Sequence, residues 1–487
     1  MARVRIRLEE IFTSLIDDDV PVAFRGYDGS ATGARDPIAT VEVRSPEAVR
    51  FIATAPGQLG LARAYVTGAV DVHGDLHAAL RALHEHRRRD ITPGKLLRLL
   101  RGFDPRVLRR PRVPVEEALP AWRRGLGRHT RRRDAMAIAH HYDVSNRFYE
   151  LVLGRSMAYS CAVFPTADTS LDDAQAEKFD LVCRKLDLRP GQCLLDVGAG
   201  WGGLVRHAAA HYGVKAVGVT LSRRQVQWAR RANAQAGLAR SVQIFLLDYR
   251  DLPDHTFDAI ASIGAMEHFG SAELGRYFES MAAHLRPGGR MLNHCITRPS
   301  NRERHRTGAF IDRYVFPDGE LQGPGTVMSA MHDHGLEIRH EQNLREHYAL
   351  TLREWGANLE RHWPQAAAEV GERRARIWRL YMAFSRVGFE LDRIQIHQVL
   401  GVRLDSRGRS CMPLRPNWEQ REQRAGTRAP ELAPRKPDRG ELGRLVTRSA
   451  YGSIDQDRAG TPHPQRHGGA GRLLTTDPTA GVGNSET

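Results

Sequence analysis

Asp196, Thr220, Asp248, Glu267 and His294 each fall near the end of a short apolar run. Carboxylates, a hydroxyl and an imidazole at such places can hold the polar groups of a ligand or move a proton. Gly198, Gly200, Gly202 and Gly203 follow Asp196. Glycines there let the backbone turn tightly and approach a ligand closely. The turn is a general nucleotide-site signal, and alone it leaves dinucleotides and other adenosine-containing cofactors open. A nicotinamide dinucleotide site usually carries an acid about 20 residues past the first glycines. The matching stretch here, Val219-Thr220-Leu221-Ser222, has none. No GxxxxGKS or GxxxxGKT run is present, which argues against a phosphate-loop ATPase. A plain structural turn would explain one or two glycines, but explains four less well, with Trp201 among them. Cys161 and His294 do not define a cysteine protease, since sequence separation says nothing about contact. The adjacent His140 and His141 do not supply a coordination shell, so no metal site is expected.

Such residues need strands to carry them. Residues 193–197 and 216–219 flank a helical stretch and read as a β-α-β unit. Further strands are expected at 242–247, 257–263 and 290–296, with helices at 172–186, 223–237 and 277–285. The alternation predicts an α/β, Rossmann-like domain with a mostly parallel central sheet covered by helices. Ligands of such sheets collect beyond the carboxyl ends of the strands, where the five residues above fall. An insertion over 300–345 brings Phe310, Tyr314 and Phe316, which could wall an apolar cavity. A helix starts near 346, helical character continues to 391, and a late strand covers 394–402.

Residues 1–115 read as a small α/β domain, with strands at 22–27 and 39–43, a helix opened by Ser45-Pro46-Glu47 and another over 76–83. Lipid, membrane or substrate binding is the role expected of it. Residues 116–137 read as a basic linker, 138–415 as the catalytic domain, and 416–487 as a disordered tail rich in Arg, Pro, Gly, Thr and Gln.

The 487 residues are 41% hydrophobic, enough for a sizeable core. Five cysteines without C-x-x-C spacing suggest neither a zinc ribbon nor a disulfide scaffold, and fit a reducing compartment. Acidic residues arrive early at the N-terminus, against a signal peptide. No run approaches the roughly 20 apolar residues that cross a bilayer. The expectation is a cytoplasmic protein. A net charge of +15 would suit nucleic acid or an anionic membrane surface, and charge alone does not choose between them.

Taken together, HHYDVSNRFYE, YSCAVF, LLDVGAGWGG, VGVTLS, MEHFG, FIDRYVFPDG and YALTLREW resemble the cyclopropane-fatty-acyl-phospholipid synthase family over residues 138–405. That family includes mycolic-acid cyclopropane synthases and methyl-branching methyltransferases. Residues 1–115 also look like its N-terminal domain, whereas the distal tail has no clear counterpart. The resemblance implies a class I methyltransferase domain using S-adenosylmethionine. It implies that Asp196, Gly198, Gly200 and Gly202 surround the cofactor's amino-acid and ribose portions. Tyr159, Ser160, Thr220, Leu221 and Gln225 are further family-like contacts, with Asp248 and Tyr249 toward the adenosine. It also implies a bicarbonate beside the reacting carbon, held by Cys161, Glu267, His294, Ile296 and Tyr348. Plain alternatives exist for several of these: Asp196 capping a turn, Leu221 and Cys161 in the core, Gln225 in solvent, Tyr348 packing a helix.

The substrate class implied is an unsaturated phospholipid acyl chain. Its double bond attacks the sulfonium methyl, leaving a carbocation beside the new methyl. Loss of a methyl proton closes a cyclopropane, and loss of another proton gives a methylene branch that a partner reductase could saturate. Residues 292–299 and 346–352 look closer to the branching subgroup. A transient anionic membrane surface at the inner face of the cell membrane and a homodimer are further expected partners, and nucleic acid is not. An RNA or small-molecule methyltransferase and a noncatalytic lipid-binding protein are the competing classes.

Overall fold

The computed structural model describes residues 6–88, 109–117, 144–302, 307–317 and 319–418. Most of the expected linker, the His140-His141 pair and the tail beyond residue 418 lie outside the described residues. Two sheets belong to one compact unit, Met1–Ala429.

The first sheet has strands β1 (Val22–Gly26), β2 (Ala31–Gly33), β3 (Ala39–Val43) and β4 (Val70–Gly74), in the order β2-β1-β3-β4. Only the β1–β3 pair is parallel. The helices Leu8–Leu15, Pro46–Thr54 and Gln58–Val66 help enclose a core of Leu8, Phe24, Val43, Val49 and Phe51. Periodicity had suggested β1, β3 and the helix Leu76–Glu85, but not β2 or β4. β2 has three residues, too few for a pattern, whereas β4, VDVHG, alternates apolar and polar residues over only four positions.

The second sheet has β5 (Cys193–Val197), β6 (Lys215–Thr220), β7 (Val242–Leu246), β8 (Phe257–Ile263), β9 (Leu285–Thr297), β10 (Glu337–Asn343) and β11 (Gln395–Val402). Its order is β10-β11-β9-β8-β5-β6-β7. The run from β9 to β7 is parallel, and β11 and β10 add antiparallel at the β9 edge. This is the mostly parallel sheet expected, and its central strands are buried on both faces. The stretch read as an insertion holds β10 as well as two helices, Ala309–Tyr314 and Pro324–Asp333. The sequence of β10, EIRHEQN, is polar enough to hide an edge strand.

The helix Leu171–Leu186 leads into β5. Ser170 caps it by accepting from the Asp173 N–H at 3.2 Å, acids fill its first turn, and Arg184 and Lys185 lie in its last. Its buried face carries Gln175, Lys178 and Lys185 as well as leucines. Those polar groups matter for the site.

The first sheet's helices dock on the helix Glu372–Glu390. Arg376 donates to the Tyr65 carbonyl at 2.8 Å, to the Val70 carbonyl at 3.0 Å and to Asp71 at 3.1 Å, with its guanidinium 4.3 Å from the Tyr65 ring centre. At the start of the expected linker, buried Glu117 takes two 2.6 Å hydrogen bonds from Arg63 and one of 2.9 Å from the Tyr314 hydroxyl. That end of the linker is therefore pinned between both parts of the molecule.

Candidate active site

Two cavities meet beyond the carboxyl ends of the parallel strands. The first is lined by the turns after β5, β6, β7 and β8. Tyr159, Ser160, Asp196, Gly198, Gly200, Thr220, Leu221, Gln225, Asp248 and Tyr249 all face it. Gly202 does not. It precedes the helix Gly203–Tyr212 at φ +75°, where a Cβ would meet the Arg206 guanidinium at 3.1 Å.

The cradle depends on glycine at two points. Gly198 has φ +79°, and a Cβ there would fall 2.7 Å from the Ala265 Cβ. Gly200 has φ +54°, with nothing nearer to such a Cβ than the Gln225 amide nitrogen at 4.0 Å, so that side opens into the cavity. The Gly198 and Ala199 N–H groups donate to the Val219 carbonyl and tie the turn to β6. Asp196 is buried, and its Oδ1 has no hydrogen-bond partner. Burial lifts its carboxyl to about 7, with Lys178 pulling the other way. Thr220 donates to Gln225 Oε1 at 2.6 Å, which fixes that amide at the rim. Asp248 accepts from the Arg250 backbone N–H at 3.0 Å and side chain at 2.6 Å, so it shapes its own turn as well as the cavity wall.

Periodicity did not single out Lys178. Its ammonium donates to Ser160 Oγ at 2.9 Å and sits 4.0 Å from the Phe179 ring centre. Burial lowers its pKa to about 7. Gln175 donates to the Ser160 carbonyl at 2.9 Å. Together they hold the segment that carries Tyr159 and Ser160. The available signal was polar residues at 175, 178 and 185, three positions of one buried helix face.

The second cavity, about 680 Å³, is apolar and aromatic. Phe316, Tyr348, Tyr381, Phe384 and Phe389 line it, and Tyr159, Ser160, Gly264 and His268 face both cavities. Of the aromatic groups expected from the 300–345 stretch, Phe316 lines this cavity, whereas Phe310 and Tyr314 are packed into the core instead. Gln58 and His84, from the helices of the first sheet, also line it.

Glu267, His294, Ile296 and Tyr348 come together on this cavity. Cys161 does not line it: the residue is buried, with its thiol against the Ala162 and Leu344 carbonyls. Burial pushes that thiol up, out of the thiolate range. Glu267 Oε1 accepts the Ile296 N–H at 2.7 Å, while Oε2 is buried without a partner. Burial raises the Glu267 carboxyl to about 7, against the backbone hydrogen bonds that lower it. A carboxyl so placed can hold or release a proton near neutrality.

His294 is set by the sheet. β9 and β11 pair antiparallel with His294 opposite Gln398, and β10 places Gln342 opposite Gln398. The three side chains therefore share one face. Lys185 covers them, donating to Gln398 Oε1 at 2.7 Å and to Gln342 Oε1 at 2.6 Å. With Gln398 Oε1 so engaged, its amide nitrogen, 3.1 Å from His294 Nδ1, is the donor. The ring proton then belongs on Nε2, which is buried and without a partner. Burial, with Lys178, Lys185 and His397 adding to it, holds the ring well below its usual pKa and so neutral.

These features fit the groups expected. A glycine cradle with an orphaned buried carboxylate oxygen suits an amino-acid-bearing adenosine cofactor. An orphaned N–H donor and an orphaned carboxylate oxygen on one cavity suit a small oxyanion that carries a proton, such as bicarbonate.

Fold and site together define a class I S-adenosylmethionine-dependent methyltransferase. Residues 129–399 match the family model described as mycolic acid cyclopropane synthetase, and the chain belongs to that family. It is 47% identical over 418 residues to a probable fatty acid methyltransferase of Mycobacterium tuberculosis, covering 84% of this chain and 97% of that one. It is 40% identical over 402 residues to a probable fatty acid methyltransferase of Pseudomonas putida, covering 81% and 95%. Among solved structures, the mycolic acid cyclopropane synthase CmaA1 complexed with SAH and CTAB superposes with a TM-score of 0.53 at 33% identity, covering 57% of this chain and 99% of that one.

Proposed function

We propose that the protein transfers the methyl group of S-adenosylmethionine to the cis double bond of an unsaturated phospholipid acyl chain and then removes a proton to close a cyclopropane ring. The observation that carries this reading is the meeting of the glycine-cradled cavity with an aromatic cavity on which Glu267 Oε2 and His294 Nε2 both lack partners. The cofactor supplies an activated sulfonium methyl. An isolated double bond is a weak nucleophile, so the protein's own work is to hold it in line and exclude water. The faces of Tyr159, Phe316, Tyr348 and Phe389 on the cavity can stabilise positive charge on the chain. The His294 Nε2–H donates toward the reacting region, and Glu267 Oε2 accepts. The same pair, with Tyr348, would hold bicarbonate, whose chemistry there is to accept the proton that leaves.

A second reading keeps the methyl transfer and ends in a methylene branch that a partner reductase saturates. The naming of the 47% and 40% identical relatives as probable fatty acid methyltransferases favours it. Both products add the same mass, so the test uses methyl-labelled S-adenosylmethionine, vesicles of monounsaturated phospholipid, and NMR of the recovered acyl chains. A high-field cyclopropane signal supports ring closure, an exomethylene signal selects the branch, and no label in lipid defeats both.

Among the described residues no helix is long and apolar enough to cross a membrane. Access to lipid is proposed through transient contact of this basic chain with an anionic surface at the inner face of the membrane, with net charge +15 aiding attraction. A second copy of the chain would double that contact.

A further inference from the structure

The aromatic cavity contains a cation that the chemistry above does not use. Arg298 directly follows β9 and lines the cavity beside Ser300 and Thr307. It is only 7% exposed, and its Nε is buried without a hydrogen-bond partner. Among the described residues no carboxylate pairs with it. Neither of the two carboxylates on the cavity pairs with it. Glu267 is bound to the Ile296 N–H, and Asp392, on the rim, accepts from Gln395 at 2.7 Å and faces Arg345 at 3.8 Å. The backbone at Arg298 is held in place, its N–H donating to the Gln322 carbonyl at 3.0 Å.

A guanidinium enclosed in an apolar cavity without an anion is costly, and it becomes favourable when a ligand brings the anion. Its planar fork matches the oxygens of a carboxylate or a phosphodiester. The placement also fits a long acyl chain. Arg298 lies four residues beyond His294, just past the end of β9, about 13 Å along the chain at the usual strand rise. A double bond in the middle of an acyl chain stands off from the polar end by a comparable length.

We propose that Arg298 is the anion anchor of the acyl substrate. It binds the oxyanion at the chain's polar end, a phosphodiester or a free carboxylate, so that the double bond reaches Glu267 and His294. The inference rests on the lipid-modifying reading above, and it adds a measuring point that sets which carbon of the chain is modified.

The test uses the full-length protein and two fluorescent probes of one chain length, cis-parinaric acid and its methyl ester. Wild type is expected to bind the acid about tenfold or more tightly than the ester. Arg298→Gln should bring that ratio to within about threefold, and Arg298→Lys should keep part of it. Ester affinity reports on folding in each variant. Equal binding of acid and ester by wild type, or an unchanged ratio in Arg298→Gln, overturns the anchor.

Turnover then identifies the anion. Selective loss of kcat/KM on phosphatidylglycerol vesicles points to the phosphodiester, and selective loss on oleate to the carboxylate. Equal loss on these and on methyl oleate overturns the anchor. If wild type labels no lipid yet its acid preference disappears in Arg298→Gln, the methyl-transfer reading falls while the anion site stands.

Discussion

The two cavities are built in different ways. The cofactor cavity draws most of its wall from the four turns after β5, β6, β7 and β8, all within residues 196–269. The aromatic cavity draws on residues from Gln58 to Ile396, through two helices of the first sheet's part, strands β9 and β11, the stretch after β9 and the helix Glu372–Glu390. A cradle made of consecutive turns is fixed by the sheet that carries them. A cavity gathered from distant segments depends on how those segments dock, so its shape can change while the cradle stays.

The comparison predicts that chemistry and cofactor binding can be separated. Glu267→Gln removes an ionisable carboxyl from the aromatic cavity and should lower kcat by about a hundredfold or more, with the S-adenosylmethionine Kd changed less than about threefold. Label transfer and calorimetry read the two quantities, and a matching loss of cofactor affinity would show that the two adjoining cavities act as one. Asp196→Asn acts on the other side. It should weaken S-adenosylmethionine binding by roughly tenfold or more while parinaric ester affinity stays within about twofold.

Smaller effects sharpen the contrast. Gln398→Leu should lower kcat by about tenfold through the orientation of His294. Histidine ring 15N NMR checks the cause: wild type should show the proton on Nε2 and a neutral ring at pH 7, and the variant should lose that single tautomer. A variant that loses activity with the tautomer intact would remove Gln398 from this role.

A last effect concerns stability. Glu267 titrates near 7 in the ligand-free fold, above its usual 4.5, so the folded state binds more protons between those values. Its contribution to stability therefore falls as pH rises through that window. Glu267→Gln should be more stable than wild type at pH 8, by about 3 kcal/mol at most, and nearly equal at pH 4.5. Denaturant melts at the two pH values test the sign. No gain at pH 8 would mean that the carboxylate finds a partner the ligand-free fold does not provide.

Much of the cofactor side was legible in the chain. Apolar runs with Asp196, Thr220 and Asp248 near their ends located the strand ends, and the glycines located the cradle. Gly202 was grouped with the cofactor contacts because it shares the motif, whereas its conformation serves the helix that follows. Lys178 was missed because a charged residue inside a helix reads as exposed until packing shows which face it occupies. The polar strand β10 was missed for a related reason, since it pairs at the sheet's edge. Cys161 shares a motif with Tyr159 and Ser160, yet its thiol turns into the core.

Local patterning determined the order of strands and helices, the glycine turn and the residue types at the strand ends. These depend on neighbours a few positions apart, which a sequence displays directly. Tertiary structure decided which distant groups meet. The pairing of β9 with β11 set Gln398 against His294, and the docking of the first sheet's helices brought Gln58 and His84 to the aromatic cavity. Burial decided which groups were left without partners, Glu267 Oε2, His294 Nε2 and Arg298 Nε among them. Desolvation and pairing are properties of the folded surroundings, and no local spacing encodes them.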